Sequence, residues 1–253
     1  MTILYVNDLS VRYGDTTIVD KVSFSVEEGQ WLMIIGPNGA GKSTIVNAIS
    51  QGTDYTGMIR YLGKDVKTYK PVELAKQIGI LAQNHFVGYS FTVGEVVRLG
   101  RYSYAPGIFS RKSNDDEQLV EKALEMTGLS SIVDQSVLTL SGGELQRTFL
   151  AQLFAQDPKV LILDEPTNHL DLVYQKQVFA LVKEWLKGEG RAVISVVHDL
   201  SLAKAYGTSG LLLNKGKTVS FGSMDTVFSP ENLKKAYSMD VYGWMRDMLG
   251  QWL

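Results

Sequence analysis

The 253-residue sequence contains no cysteine and only three histidines. Without cysteine the chain has no disulfide framework, and three scattered histidines do not make a zinc site. A chain of this length can bury a large core, and its 45% of hydrophobic and 21% of charged residues are ordinary for a folded protein. The composition therefore favours a globular domain that is stabilised by its hydrophobic core.

Long apolar runs and an excess of positive charge are also missing. No run approaches the roughly 20 apolar residues that a membrane-spanning helix requires, so any membrane association is expected to come through a partner. Residues Met1 to Ser10 lack the basic start and the apolar core of a signal peptide. The net charge is −2, with no dense run of Lys and Arg, which argues against nucleic acid as a partner.

A glycine-rich loop lies between the apolar run Trp31–Ile35 and a helix-like segment, Ser43–Ser50. It matches the pattern G-x-x-x-x-G-K-[ST], in which backbone N–H groups and the start of the following helix bind phosphate oxygens. Lys42 is expected to reach the β- and γ-phosphates, and the Ser43 hydroxyl to hold Mg²⁺. An ordinary glycine turn is the alternative, which the flanking strand and helix disfavour. The loop consists of Gly36, Pro37, Asn38, Gly39, Ala40, Gly41, Lys42, Ser43 and Thr44.

Two carboxylates, Asp164 and Glu165, follow the apolar run Val160–Leu163. The run predicts a parallel strand that is buried on both faces. Ligands of open α/β sheets bind at the carboxyl ends of the strands, so both acids are placed for chemistry. Asp164 suits the shell of a Mg²⁺ ion, and Glu165 suits orienting or deprotonating a water that attacks phosphate.

A third motif begins at Ser141, which forms a predicted capping box with Glu144. Gly142 and Gly143 would then lie at a helix N-terminus, a second place that favours an anion. One chain with one nucleotide pocket has no evident need for two such places; a well-capped surface helix is the alternative. The apolar residues at helical spacing after the box are Leu145, Phe149 and Leu153.

With these motifs the sequence resembles the ATP-binding-cassette (ABC) ATPases over almost the whole chain. Gly36–Thr44 is similar to the family's Walker A loop, Leu161–Glu165 to its Walker B motif and Leu140–Glu144 to its signature motif. In the family's order, Gln83 resembles the Q-loop glutamine, Asp171 the D-loop aspartate and His198 the switch histidine. The resemblance implies an α/β fold: a P-loop NTPase core with a parallel sheet, an N-terminal antiparallel β subdomain and an inserted helical subdomain.

The resemblance also implies a head-to-tail dimer, in which the Walker A loop of one copy and the signature motif of the other enclose each ATP. Ser141 and the amides of Gly142 and Gly143 would face the γ-phosphate that is bound by the partner. Glu144 stands where the commonest family version has glutamine, and either residue completes a capping box. Gln83 is implied at the γ-phosphate and, with Ser43 and Asp164, at Mg²⁺.

Histidine and tyrosine side chains complete the expected site. His198 closes the apolar run Ala192–Val197 and, by resemblance, contacts the γ-phosphate while Glu165 acts as general base. Tyr13 lies where related ATPases place a ring on the adenine, although a core or surface role is the alternative for one of 12 tyrosines. His85 and His169 are interpreted as non-catalytic.

The sequence predicts a single ABC ATPase domain over residues 1–253, with residues 1–82 and 141–222 as the catalytic core. Residues 84–140 would form the helical subdomain, clearest in Asp115–Thr127, and residues 223–253 a helical tail. In the tail, Ser229 is the predicted N-cap and Pro230 the first helical position. In the subdomain helix, one face is predicted to consist of Leu119, Ala123 and Met126.

The short inserted segment disfavours the chromosome-organising and DNA-repair relatives, and the single cassette disfavours translation-linked ones. The energy-supplying subunit of a transporter is left, and ATP use favours the cytoplasm. Phe91–Tyr102, Asp199–Ala203 and the tail segment Pro230–Val241 resemble importers of iron-siderophore complexes, haem and cobalamin. An importer of zinc or manganese is the runner-up, and a non-transport ABC ATPase or a non-enzymatic ATP-binding regulator is the rival class.

The resemblance implies ATP and Mg²⁺ as ligands, integral-membrane permease subunits as partners and, indirectly, a substrate-binding protein. The chain would then act at the cytoplasmic face of the membrane. A cluster of aromatic residues is hypothesised to line the groove that receives a coupling helix of the permease, with packing in the subdomain's own core as the alternative. The cluster consists of Tyr89, Phe91, Tyr102, Tyr104 and Phe109.

Overall fold

The structure, a computed structural model, describes residues 1–83, 90–104, 114–168 and 170–252. The strands are β1 Thr2–Tyr13, β2 Thr16–Glu27, β3 Trp31–Ile35, β4 Thr56–Tyr61, β5 Lys64–Asp65, β6 Ile78–Leu81, β7 Val160–Asp164, β8 Ala192–Val196, β9 Ser209–Asn214 and β10 Lys217–Ser223. The helices are α1 Lys42–Ile49, α2 Pro71–Ala75, α3 Val93–Leu99, α4 Asn114–Thr127, α5 Gly142–Gln156, α6 Leu172–Leu186, α7 Leu200–Tyr206, α8 Met224–Val227, α9 Pro230–Tyr237 and α10 Val241–Leu249.

The chain forms two compact units. The first unit consists of Met1–Thr68 and Ile194–Leu253, and the second unit consists of Tyr69–Val193. The boundary at residue 193 lies inside β8, so this strand starts in the second unit and ends in the first. Each unit carries its own part of the predicted motifs, and each is described separately.

The first unit contains an antiparallel sheet in the order β2-β1-β4-β5. Register shifts interrupt the pairing of β1 with β2. One shift lies between Val6 and Leu9, where Asp8 adopts a φ of 50°. An irregular residue of this kind changes which side chains face the core, so periodicity alone detects only part of the strand. The predicted N-terminal antiparallel β region is confirmed.

A second group of strands in the first unit supports the glycine loop. All five residues of β3 are buried, and β3 pairs in parallel with β9, which pairs antiparallel with β10. The indole N–H of Trp31 donates to the Ser195 hydroxyl at 2.8 Å, so the one polar atom of this buried ring has a partner. Strands that are buried on both faces read as continuous apolar runs, and the strand predicted for Trp31–Ile35 is confirmed.

The second unit combines parallel strands with helices. β6 pairs in parallel with β7, and every residue of β7 is buried. α5 packs against α3 and α4. The Arg101 guanidinium joins them, because its Nε lies 2.7 Å from the Asp116 carboxylate on α4 and one of its terminal nitrogens donates to the Ala155 carbonyl near the end of α5. The mixed α/β fold, with parallel strands and separate helices, agrees with the predicted class.

Most helices lie where the sequence predicted them, but their buried faces differ from the predicted faces. In α4 the buried residues are Val120, Ala123, Leu124 and Thr127, so Leu119 and Met126 lie half-buried at the edge of the face that they were predicted to form. Likewise Leu153 is buried in α5, whereas Leu145 and Phe149 are half-buried. The boundaries of the subdomain, 84–140, stay a prediction; its described part contains α3 and α4.

The tail is helical, as predicted. The Ser229 hydroxyl accepts a hydrogen bond from the Asn232 N–H at 3.3 Å, and Pro230 opens α9. Proline suits this position because the first helical N–H has no partner within the helix. Of the helices in the described ranges, none combines the length and the apolar character that crossing a membrane demands.

Candidate functional site

The glycine loop of the first unit closes around a buried lysine. Lys42 is only 6% exposed, and its ammonium group donates to the carbonyls of Gly36 at 2.9 Å and Pro37 at 3.0 Å. A buried charge must be compensated by hydrogen bonds. The side chain therefore crosses the mouth of the loop and is already placed among the groups that are expected to surround phosphate.

Three glycines of this loop have backbone angles that other residues rarely adopt. Gly36, Gly39 and Gly41 have φ values of 151°, 76° and 94°. A Cβ on Gly36 would lie 2.3 Å from the Leu213 carbonyl oxygen, whereas a Cβ on Gly39 would have no atom of the described residues within 4 Å. The loop thus packs tightly against β9 on one side and leaves open space on the other.

This open space suits a phosphate group. Within the described residues, no side-chain hydrogen bond caps the start of α1, which Gly41 precedes. The first amides of a helix carry a partial positive charge and bind anions when no side chain satisfies them. The loop and α1 therefore have the geometry of a phosphate cradle that includes Lys42 and Ser43.

His198 follows β8 within the first unit. The Val197 N–H donates to the Ile34 carbonyl at 3.2 Å, so the end of β8 lies beside the end of β3, from which the loop departs. His198 is exposed, and the next residue, Asp199, caps α7 through hydrogen bonds from the Ser201 and Leu202 amides. The first unit thus brings the predicted histidine close to the start of the loop.

Tyr237 also reaches the loop, which the sequence analysis did not anticipate. Burial raises the pKa of this phenol to about 12, and a hydrogen bond with the backbone of Gly36 partly opposes the rise. Tyr237 ends α9, so a residue of the tail contacts the first glycine of the loop. Nothing in the local sequence of a terminal helix signals such a contact.

Tyr13 ends β1, opposite Thr16 across the turn to β2. The residue is 52% exposed. Stacking on adenine stays a prediction for this residue.

In the second unit, Asp164 is the last residue of β7 and only 6% exposed, and Glu165 follows it. The Gln83 amide donates to Oε2 of Glu165 at 2.7 Å, and the Asn168 amide donates to the same oxygen at 3.2 Å. The structure therefore brings Gln83 and Glu165 together and adds Asn168. The sequence analysis missed Asn168, although an amide side chain three residues after Glu165 could have indicated a hydrogen bond to this carboxylate.

The backbone of Glu165 is itself unusual, with a φ of 54°. A residue other than glycine in this left-handed region costs on the order of 1 kcal/mol or more, and such residues cluster at functional sites. The turn is supported by a hydrogen bond from the Asn168 N–H to the Glu165 carbonyl at 3.1 Å. The carboxylate at the end of β7 is thus held in a specific direction by both backbone and side chains.

The capping box at the start of α5 is confirmed. The Ser141 hydroxyl accepts from the Glu144 N–H at 3.3 Å, and a Glu144 carboxylate oxygen accepts from the Ser141 N–H at 2.9 Å. Hydrogen bonds from the hydroxyl and then the backbone of Ser141 lower the pKa of Glu144. Gly142 is exposed and Gly143 is buried, so the glycine pair lies in the first turn of a helix whose start is fixed by side chains.

Asp171 caps α6, because its carboxylate accepts a hydrogen bond from the Tyr174 N–H at 3.0 Å. The loop between β7 and α6 is also tied to α5, since the Gln146 amide donates to the Pro166 carbonyl at 2.7 Å. The D-loop role that the resemblance implies for Asp171 stays a prediction. Gln146 is a further residue of this region that sequence reasoning missed.

The oxygen atoms of Ser43, Gln83 and Asp164 are of the kind that Mg²⁺ prefers. Among the residues that the structure describes, no group of three or more His, Asp or Glu side chains could hold a metal by itself. Mg²⁺ commonly uses one or two carboxylates together with substrate phosphates and water. The donors of Ser43 in the first unit and of Gln83 and Asp164 in the second are therefore each of a type that fits Mg²⁺, and the magnesium site stays a prediction.

The aromatic cluster is only partly described. Tyr102 is 79% exposed and Phe91 is 40% exposed. Tyr104 instead packs within its own unit, because its ring lies 3.7 Å from the Arg101 guanidinium and its hydroxyl donates to the Lys76 carbonyl at 3.2 Å. The other predicted members, Tyr89 and Phe109, and the two remaining histidines, His85 and His169, lie outside the described residues.

Comparisons with known proteins agree with these features. The sequence profile of the ABC transporter family matches residues 19–168. An uncharacterized ABC transporter ATP-binding protein of Bacillus subtilis (strain 168), YvrA, is 38% identical over 235 residues, which are 92% of this chain and 53% of that protein. The chain thus spans about half the length of this relative.

Two other known proteins match this chain over most of their own length. The ferric enterobactin transport ATP-binding protein FepC of Escherichia coli (strain K12) is 36% identical over 91% of this chain and 85% of that protein. The solved structure of cbiO1 from Clostridium perfringens, part of the ABC transporter complex cbiONQ, has a TM-score of 0.81 at 26% identity and covers 98% of both chains. The chain, in which a glycine loop precedes α1, two acids follow one another at the end of β7 and a capping box starts α5, therefore belongs to the ABC transporter family.

Proposed function

We propose that this chain is the ATP-hydrolysing subunit of an ABC importer and that it powers the uptake of an iron-siderophore, haem or cobalamin-type cargo through a membrane permease. The name of FepC, which refers to ferric enterobactin transport, supports the cargo class, as does the segment Phe91–Tyr102. The chain would act at the cytoplasmic face of the membrane and be bound there by its permease. A substrate-binding protein would deliver cargo from the other side.

One observation carries the proposal: the chain has two separate helix starts that suit an anion. One is the uncapped start of α1, where Lys42 is buried. The other is the start of α5, where the capping box uses the Ser141 and Glu144 amides and not those of Gly142 and Gly143. One nucleotide bound by the glycine loop leaves the second start without a ligand of its own. A head-to-tail pair of copies gives each signature motif the γ-phosphate of the partner's ATP.

The residues would divide the work as follows. Tyr13 stacks on the adenine, the loop amides bind the phosphates, and the Lys42 ammonium exchanges the Gly36 and Pro37 carbonyls for phosphate oxygens. Mg²⁺, when held by Ser43, Gln83 and Asp164, would neutralise charge on the phosphates.

Hydrolysis would be an in-line displacement at the γ-phosphorus. Glu165 accepts a proton from the attacking water, while His198 and the partner's signature motif contact the γ-phosphate. The bond between the γ-phosphorus and the bridging oxygen breaks, and ADP and inorganic phosphate leave. The copies then separate and reset the permease, to which Gln83 would be coupled.

Cross-linking between copies tests this proposal directly, because the chain contains no cysteine. Copies with Ser141→Cys and copies with Asn38→Cys, both in a Glu165→Gln background, are mixed with and without Mg-ATP. Asn38 lies on the exposed tip of the glycine loop, so a cysteine there is accessible. We expect cross-links only with nucleotide, because ATP is proposed to bring the two motifs together. A control pair replaces Asn38→Cys by Lys234→Cys on the exposed side of α9 and should stay unlinked.

Phosphate release separates the importer from a regulator that only binds ATP. Purified wild-type chain, alone and with its permease, should release phosphate, and release should rise with the permease. Substrate-binding proteins loaded with a ferric siderophore, haem, cobalamin, zinc or manganese then identify the cargo by their effect on the rate. Absence of both release and nucleotide-dependent cross-links would refute the proposed function.

A further inference from the structure

The ring of Tyr174 covers Gly143 of the signature motif. A Cβ built on Gly143 would lie 2.4–2.6 Å from three ring carbons of Tyr174, far inside van der Waals contact. For Gly142, its neighbour, the one described side chain within 4 Å of such a Cβ is that of Leu170, at 3.9 Å. The second glycine of the motif is therefore the place where another side chain packs directly on the backbone of the first turn of α5.

The position of this ring is determined by the start of α6. Asp171 accepts a hydrogen bond from the Tyr174 N–H, and the Gln175 amide donates to the Leu170 carbonyl at 3.1 Å. Both bonds fix the first turn of the helix that carries the ring. In the described part of the chain, the Tyr174 hydroxyl makes no hydrogen bond, so the ring and not the hydroxyl makes the contact.

The same loop begins at the catalytic candidate. Asn168 bonds to the Glu165 carboxylate and backbone, and Pro166 is bonded to Gln146 on α5. α5 is thus contacted by Pro166, near the start of this segment, and by Tyr174, at its end. A displacement of the first turn of α5 must disturb this segment or break these contacts, because interiors are close-packed.

We propose that Tyr174 is a positioning residue for ATP hydrolysis, whose ring holds the first turn of α5 so that the Gly142 and Gly143 amides are aligned with the partner's γ-phosphate. The inference rests on the proposed function and adds to it a residue outside the family's motifs. It also explains why Gly143 has no room for a side chain. Through the same loop, the signature motif that faces one ATP is linked to the Glu165 that acts on the other.

Hydrogen exchange on the monomer without nucleotide tests the packing alone. Loss of a packing contact commonly shifts an equilibrium by about threefold to tenfold. Tyr174→Ala should therefore speed exchange of the Glu144 and Leu145 amides, which are hydrogen-bonded to Ser141, by a similar factor. Tyr174→Phe should leave exchange unchanged. Gln177→Ala, an exposed position on the same helix, is the matched control.

Nucleotide-driven dimerisation tests the functional role. In the Glu165→Gln background with Mg-ATP, Tyr174→Ala should raise the dimer dissociation constant about threefold to tenfold, and Tyr174→Phe should restore it. Binding of a fluorescent ATP analogue by the monomer should stay unchanged, because Tyr13 and the glycine loop do that work. In the otherwise wild-type chain, kcat should fall and KM for ATP should rise with Tyr174→Ala only.

The outcomes distinguish the possible failures. Unchanged exchange and an unchanged dimer constant in Tyr174→Ala overturn the proposal, as does equal damage by Tyr174→Phe. If Tyr174→Ala does not fold, Tyr174→Leu replaces it, because leucine retains apolar volume without a planar ring. A partial defect of Tyr174→Leu in both measurements supports the proposal. Wild-type behaviour of this variant overturns the proposal. If the Glu165→Gln parent does not dimerise and the wild-type chain releases no phosphate, the proposed function fails and with it the catalytic role of Tyr174, while exchange still decides whether the ring holds α5.

Discussion

The two units hold their functional groups by different means. In the first unit the glycine loop is shaped by backbone: close approach of Gly36 to β9, unusual φ angles, and carbonyls that accept from Lys42. In the second unit side chains do this work, because amides orient Glu165 and Ser141 caps the signature helix. Substitutions in the glycine loop of the first unit should therefore change nucleotide binding, whereas substitutions at Glu165 and Ser141 of the second unit should change turnover and pairing.

The strongest test of this division is Glu165→Gln. Loss of the general base should lower kcat by about 100-fold to 10,000-fold, measured as phosphate release. ATP affinity should stay within about twofold in a titration with a fluorescent analogue, because the glycine loop is untouched. Normal turnover in this variant would remove Glu165 as the base, and a large loss of affinity would abolish the contrast between the units.

Lys42→Ala tests nucleotide binding by the glycine loop of the first unit. A hydrogen bond to a charged group is worth about 1.5–3 kcal/mol, so ATP affinity should fall by about 10-fold to 100-fold. The same titration measures it, with Lys234→Ala, an exposed lysine of α9, as control. Affinity equal to that of the control would mean that the buried ammonium does not turn to phosphate.

Ser141→Ala and Ser229→Ala compare two N-caps, one in each unit. Loss of either cap should lower the free energy of unfolding by about 1 kcal/mol, measured by urea titration. Only Ser141→Ala should also reduce ATPase activity, since Ser229 caps a tail helix. Equal loss of activity in both variants would contradict a specific role for the signature helix.

The smallest effect concerns Glu144, whose pKa is lowered by its bonds with Ser141. A lowered folded-state pKa stabilises the protein above the unfolded-state value, about 4.3. This contribution is lost as the pH falls through the folded-state pKa. Because the group is exposed to solvent, Glu144→Gln should change stability by less than about 1 kcal/mol at pH 7. The difference from wild type should shrink in urea titrations as the pH falls below the unfolded-state pKa and Glu144 is protonated. A difference that grows on acidification would contradict this linkage.

The motifs were predictable because each is contiguous in the chain. The strand before the glycine loop, the capping box at Ser141 and the cap at Ser229 all depend on residues within a few positions of each other. Buried faces were less predictable, as Leu119 and Met126 show: both lie beside the buried face of α4 because α3 and α5 decide which side is covered. Periodicity identifies a helix and leaves its exact orientation open.

By itself the sequence determined the phosphate chemistry: glycines for the loop, Lys42, the two acids after β7 and the capped glycine pair. Only the tertiary structure decided which groups hold these in place, namely Gln83 at Glu165, Tyr174 on Gly143 and Tyr237 at Gly36. The physical reason is range. A loop or cap is encoded by backbone preferences and hydrogen bonds between near neighbours, whereas a contact between distant residues exists only once the elements that carry them have packed.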